Sequence, residues 1–355
     1  VKDALSDIGA RVTELLASES TINNLQPESL RAAVLAYPAR VGKALRPALC
    51  LWSCGLYRDP PPAAWRLAAA IELYHIWTLV HDDIIDEDLS RRGGPSAHEH
   101  VRRGVVETDL AFGQQARVFG KNIAILAGDI QHAWSNYMIL QAVDEGMPPS
   151  TALVILRRLN GFVNPMLIGG EALDVEFELS SPLLLTIEKI LEMLRGKTAI
   201  LLRFAAESGV LLGLETDDID HPMVAAAGSF AEAVGIAFQL RDDILGMYGN
   251  AAQLGKPVGS DVRQGKPTVL YAEALARTGG DDRATLERAL GHPELTPAEL
   301  DQVRDIIRSC GARDAVDQRI ASYIVDAVAI LDQLPPGKSN DSLRWWADYA
   351  VTRDS

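Results

Sequence analysis

The chain has 355 residues, 48 acidic and 34 basic, giving a formal net charge of −14. A balance this acidic argues against a nucleic-acid partner, whose footprint on a protein is basic. With 48% apolar and 23% charged residues, the chain is neither disordered nor fibrous, and it can bury a large core.

In chain order the elements read as helix after helix. Val1 to Asp7 is polar and periodic, so no signal peptide is expected. Cys50 and Cys54 lie one helical turn apart, far from Cys310. Three cysteines form neither a disulfide framework nor a zinc set. They read as small core residues suited to a reducing, cytoplasmic setting. Apolar residues recur at spacings of three and four from Trp65 to Asp86, Asn122 to Val143, Ile187 to Leu212 and Met223 to Met247. Asp59-Pro60-Pro61-Pro62 is a break that suits a helix start at Pro62. Further breaks fall at Arg92-Gly93-Gly94-Pro95, Glu145 to Ser150, the glycine-bearing stretch Gly249 to Gly265, and Leu334 to Gly337. No uninterrupted apolar run reaches the ~18 residues that span a bilayer, so no transmembrane segment is expected. No repeat is visible. One all-α domain over residues 1–355 is the economical reading.

The sharpest chemical signal is His75 to Glu87. At about 100° per residue, Tyr74, Thr78, Asp82 and Asp86 form one stripe, with His75 close to it. Asp83 is the immediate neighbour. Several carboxylates in an apolar helix repel one another and resist burial. A divalent cation offsets that charge, and oxygen ligands without cysteine suit Mg²⁺. A second cluster, Gln239-Leu240-Arg241-Asp242-Asp243, also follows a long apolar stretch. Two such clusters suit Mg²⁺ ions gathered around a diphosphate. Cations lie beside both: Lys43 and Arg46, Arg91 and Arg92, Lys197 with Thr198, and Lys256 and Lys266 on either side of Asp261. Arginine makes bidentate phosphate contacts and lysine acts as a point charge.

The ordered set Gly42-Lys43-x-x-Arg46-Pro47, Asp82-Asp83-x-x-Asp86, Arg91-Arg92-Gly93, Gly128-Asp129, Gly170-Glu171-x-x-Asp174, Lys197-Thr198, Phe238-Gln239-x-x-Asp242-Asp243 and Gly255-Lys256 resembles the trans-isoprenyl diphosphate synthases, or polyprenyl synthetases. The resemblance runs over nearly the whole chain. It implies an all-α bundle around a central apolar cavity, the isoprenoid synthase type I fold, usually as a homodimer. It implies an allylic diphosphate held through three Mg²⁺ ions by Asp82, Asp86 and Asp242, with Asp83 and Asp243 in support. Arg91, Lys197, Lys256 and Lys266 then touch its phosphates, and Thr198 and Gln239 fix the reacting end. Isopentenyl diphosphate falls to Lys43, Arg46, His75 and Arg92. Three positions depart from the family pattern: Val41 for a second glycine, Glu171 for glutamine, and Gly246 for a last aspartate.

Below Asp82, Thr78 lies one turn away, about 6 Å, and Tyr74 two turns, about 12 Å. Thr78 lets a growing chain pass, while Tyr74 and Trp77 form a floor. A C15 to C20 product is expected, leaning to geranylgeranyl diphosphate. Three rivals are a class I terpene cyclase, a head-to-head condensing enzyme of the squalene type and a non-catalytic regulatory subunit. The first has no need of a second diphosphate site at Lys43, Arg46, His75 and Arg92, and the second is the weaker rival. The intact first cluster weighs against the third.

Overall fold

The computed structural model describes residues 2–40, 42–107, 113–179, 186–249 and 258–352. The described helices are α1 Lys2–Ala17, α2 Ser20–Asn23, α3 Glu28–Leu35, α4 Leu45–Cys54, α5 Pro62–Ile85, α6 Ala97–Glu107, α7 Gln114–Asp144, α8 Pro149–Arg158, α9 Asn164–Leu179, α10 Ile187–Leu194, α11 Ile200–Leu214, α12 Pro222–Tyr248, α13 Ser260–Gln264, α14 Val269–Arg277, α15 Gly280–Ala289, α16 Pro297–Ser309, α17 Ala312–Leu331 and α18 Lys338–Thr352. Two strands of two residues each, β1 Ser90–Arg91 and β2 Gly94–Pro95, pair antiparallel. Contacts divide the chain into two compact units, residues 1–156 with 207–219, and residues 157–206 with 220–355.

In the first unit α5 packs against α7, α4 and α1. Pro62 sits at its first turn, where a missing N–H costs nothing. From Ala63 onward its residues are buried on nearly every side, the pattern of an interior helix. That interior position is why charge on α5 calls for explanation. The Glu207–Ile219 stretch closes on α4 through glycines. A Cβ at Gly209 or Gly213 would lie 2.2 Å or 2.7 Å from the carbonyl oxygen of Cys50 or Cys54. Cys50 and Cys54 are buried.

In the second unit α12 packs against α17, α14 and α18. Trp346 on α18 is buried against Phe230, and Trp345 stacks on Tyr349. By length and composition α12 is apolar enough to cross a bilayer, which a count of uninterrupted runs misses because its few charges break the run. Of its most apolar window, 56% is buried in the protein. The Ile187 to Leu212 segment reads as one continuous helix but is interrupted by a π-helical turn, Arg195–Ala199. That irregularity falls on Lys197 and Thr198, and such turns recur at functional sites.

Candidate active site

The end of α5 and the hairpin after it build the first part of the site. Asp86 caps α5, its N–H bonding to the Asp82 carbonyl at 2.8 Å. Glu87 then takes a left-handed φ of 56° and turns the chain into the hairpin. Asp83 is fully buried. The Tyr37 hydroxyl donates to one of its oxygens and Arg91 Nε to the other at 2.7 Å. Tyr37 in turn accepts the Ala97 N–H at 3.1 Å. Burial pushes the Asp83 carboxyl up, while Arg91 and Tyr37 pull it down. Burial works against the Arg91 charge, but Asp83 outweighs it and holds the guanidinium firmly protonated. Arg91 Nη2 also reaches Asp82 at 3.3 Å and Asp88 at 3.4 Å. Within the protein, therefore, Arg91 braces the carboxylates, and Asp83 is a structural anchor beside Asp82 and Asp86.

About three turns earlier on α5, Glu72 is buried and accepts from Arg92 Nη2 at 3.1 Å. Arg46 lies close enough for both to act on it. Burial lowers its guanidinium to about 10, Glu72 raises it, and Arg92 lowers it. The buried Arg46 Nε has no hydrogen-bond partner. His75 is held well below the usual imidazole range by burial and by Arg46, Arg92 and Arg91. One carboxylate thus faces two guanidinium groups, and the excess positive charge suits an anion. Lys43 is exposed on the turn just before Arg46. Neither Tyr37 nor Glu72 stands out in the sequence. Glu72 leaves a signal only as a lone carboxylate in the run Leu67 to Leu73.

The depressed His75 pKa fixes a sign. Below the ordinary imidazole pKa near 6.5, the unfolded chain takes up a proton that folded His75 refuses. Stability is therefore present above that pH and is lost as pH falls towards the folded value, by at most about 1.4 kcal/mol per pH unit. His75→Gln should flatten the difference in denaturation midpoint between pH 7 and pH 5. Identical midpoint shifts in wild type and variant would contradict this.

Further along α5, Tyr74 is fully buried and meets Trp77 edge-on at 4.9 Å between ring centroids. His132 of α7 completes the cluster, 4.6 Å from Trp77 and 5.6 Å from Tyr74. His81 packs on Trp77 at 5.8 Å. The Thr78 hydroxyl is engaged by the His75 carbonyl at 2.8 Å.

The second unit carries the other cluster. Gly170 of α9 and Gly196 let two backbones touch: a Cβ at Gly170 would stand 2.2 Å from the Lys197 nitrogen. That approach brings Lys197 Nζ to 2.7 Å from Asp174 and 3.0 Å from Glu171. The Thr198 hydroxyl donates to Gln239 Oε1 at 3.4 Å. The Gln239 side chain and the Val269 N–H donate to Asp243. Asp174, Lys197, Thr198, Gln239, Asp243 and Lys266 line a cleft of about 180 Å³. Lys266 also stands 3.6 Å from Glu178. Lys256 lies outside the described residues, as does Val41.

Burial, then Asp261 and Asp242, push the Asp243 carboxyl well above its usual range, and its Oδ2 is buried without a partner. A Cβ at Gly246 would lie 3.0 Å from Asp261 Oδ2. The place vacated by an aspartate at 246 is thus filled by Asp261, which arrives from α13. An orphaned carboxylate oxygen among neighbouring carboxylates fits a hard divalent cation. Among the described residues no three His, Cys, Asp or Glu side chains already form a closed metal group. Mg²⁺ asks for less, since one or two carboxylates plus substrate phosphates often suffice.

An all-α fold that sets paired carboxylates on the same helix as a cluster of guanidinium groups around one buried carboxylate suits a helical enzyme acting on diphosphates. Residues 27–307 match the polyprenyl synthetase family model. The chain belongs to the polyprenyl synthetase family, and with that membership comes trans-prenyltransferase activity, the joining of isopentenyl diphosphate to an allylic diphosphate. It is 32% identical to geranylgeranyl diphosphate synthase of Saccharolobus solfataricus over 317 residues, 88% of this chain and 86% of that one. It is also 32% identical to geranylfarnesyl diphosphate synthase of Aeropyrum pernix, covering 93% and 96% of the two chains. Geranylgeranyl pyrophosphate synthase of Corynebacterium glutamicum, solved with isoprenyl diphosphate and magnesium, superposes with a TM-score of 0.84 at 28% identity over 99% of each chain. The all-α bundle is that of the isoprenoid synthase type I fold.

Proposed function

We propose that the chain elongates an allylic diphosphate with isopentenyl diphosphate, head to tail, to a C15 to C20 product, chiefly geranylgeranyl diphosphate. The observation that carries this is the cluster of Arg46, His75 and Arg92 around Glu72. It is a second anion site, which a cyclase acting on a single diphosphate does not need. Isopentenyl diphosphate binds there, with Lys43 at the rim. The allylic diphosphate meets Arg91, Lys197, Lys256 and Lys266, with Thr198 and Gln239 fixing its reacting end. Asp82, Asp86 and Asp242 would hold Mg²⁺, three ions in this reading. When bound, Mg²⁺ supplies Lewis-acid stabilisation to the leaving diphosphate. The ammonium and guanidinium groups strengthen their hold as charge grows on the leaving oxygens. The allylic C–O bond breaks, and the double bond of isopentenyl diphosphate attacks the resulting cation. A proton then leaves to the released diphosphate. The product is an allylic diphosphate five carbons longer, and no side-chain base is required.

Tyr74, Trp77 and His132 form the floor that stops growth. Trp77→Leu, and the double variant Tyr74→Ala with Trp77→Ala, should extend products past C20, read by mass spectrometry from dimethylallyl, geranyl and farnesyl diphosphates. Each aromatic truncation in this core costs about 3–5 kcal/mol, so the double variant is assayed cold. Unchanged chain lengths in both variants would sink the floor assignment.

The same reading includes a homodimer and one domain spanning residues 1–355. The helix face of α7 turned away from its buried side exposes Val118, Ile125, Leu126, Tyr137 and Leu140. A second copy covers this stripe. Sedimentation equilibrium should give twice 38.5 kDa; the monomer mass would contradict the dimer.

A further inference from the structure

Arg40 closes a short 3₁₀ turn, Pro38–Arg40, directly after Tyr37. Its guanidinium is taken up by main-chain oxygens. Nε donates to the Ala36 carbonyl at 2.9 Å, Nη1 to the Arg91 carbonyl at 3.1 Å and Nη2 to the Pro95 carbonyl at 2.9 Å. Its own carbonyl accepts from Arg92 Nη1 at 3.1 Å. One residue therefore grips both strands of the hairpin and the side chain of Arg92. The grip matters because the hairpin is minimal. Its register consists of Ser90 opposite Pro95 and Arg91 opposite Gly94. Two-stranded ribbons are marginal on their own, and this one carries Arg91 and Arg92 side by side. Gly94 makes room for the latch: a Cβ there would fall 1.7 Å from Arg40 Nη1.

We propose that Arg40 is a positioning residue that latches the hairpin and thereby sets Arg91 and Arg92 for the two diphosphates at once. The proposal rests on the assignment of those arginines given above. Arg40 itself touches no substrate, and a displacement of its partners by as little as 1 Å is enough to matter, since misplacement on that scale costs up to about 10²-fold in rate.

The test uses the full chain and three variants, Arg40→Ala, Gly94→Ala and the double. In Arg40→Ala the latch is gone; in Gly94→Ala the guanidinium is present but pushed off the hairpin. Each single variant should raise KM for isopentenyl diphosphate and for the allylic diphosphate about tenfold, and weaken binding of inorganic diphosphate by calorimetry to a similar degree. The double variant should be no worse than either single, because both remove one interaction. A merely structural role predicts a lower melting temperature with unchanged KM, and additive effects in the double; either result overturns the latch. Failure of the elongation reading shows differently, as a wild-type chain that consumes no isopentenyl diphosphate. The latch is then judged on inorganic diphosphate affinity, where equal binding by wild type and both single variants overturns it.

Discussion

Asp83→Ala is expected to cost about 3 kcal/mol of stability and roughly 10²-fold in kcat/KM. The stability loss follows from what the carboxylate touches. Asp83 is fully buried between the Tyr37 hydroxyl and Arg91. Removing one partner of a buried ion pair costs about 3–5 kcal/mol, because the other charge stays behind. Arg91 retains Asp82 and Asp88 at 3.3 and 3.4 Å, which places the loss at the low end. The activity loss is indirect. Freed from Asp83, Arg91 turns towards Asp82 and competes with the cation proposed there. Tyr37 also loses its acceptor, although the Ala97 N–H still reaches its oxygen. Asp83→Asn keeps the volume and one acceptor and should fall between wild type and alanine in both measurements. Chemical denaturation and steady-state kinetics decide the matter. An alanine variant within 0.5 kcal/mol of wild type would show that the buried pair contributes little.

The second large effect is on chemistry alone. Lys197→Ala should lower kcat/KM for the allylic diphosphate by about 10²–10³-fold, with most of the loss in kcat. Donors aimed at developing charge contribute on that scale, and only interactions that tighten in the transition state raise kcat. Lys197 is also the cation between Asp174 and Glu171. Its removal leaves two carboxylates unneutralised beside a cleft lined by Asp174 and Asp243. Lys197→Arg restores the charge without the compact ammonium and should recover part of the activity. Wild-type kcat in the alanine variant would remove Lys197 from the leaving-group machinery.

Much of this site is legible in the sequence because its signals are local. The stripe through Tyr74, Thr78, Asp82 and Asp86 lies on one helix, and helical periodicity orders it without tertiary knowledge. Pro62 marks the start of α5 for the same reason. The breaks are less informative. Arg92 to Pro95 reads as an interruption, whereas the structure makes it a hairpin gripped by Arg40. What stays hidden is what arrives from far along the chain. Tyr37 reaches Asp83 across 46 positions, and His132 joins Tyr74 and Trp77 from another helix. Glu72 sits on the same helix as His75, but only the fold brings Arg46 and Arg92 to it. Gly246 shows the opposite case: a residue missing from a local pattern is matched by Asp261, which no spacing rule connects to it. Arg91 and Glu171 likewise gain neighbours from elsewhere in the chain. Each has a partner of opposite charge that spacing alone does not reveal, Asp83 for Arg91 and Lys197 for Glu171.

The measurement that bears most directly on the account is incorporation of labelled isopentenyl diphosphate by the purified chain, with farnesyl diphosphate as primer, in Mg²⁺ and then in excess chelator. The account predicts a labelled prenyl diphosphate in Mg²⁺, five carbons longer than the primer, and its loss on chelation. Cyclic hydrocarbon from the primer with isopentenyl diphosphate untouched, or elongation that persists without the metal, would contradict it.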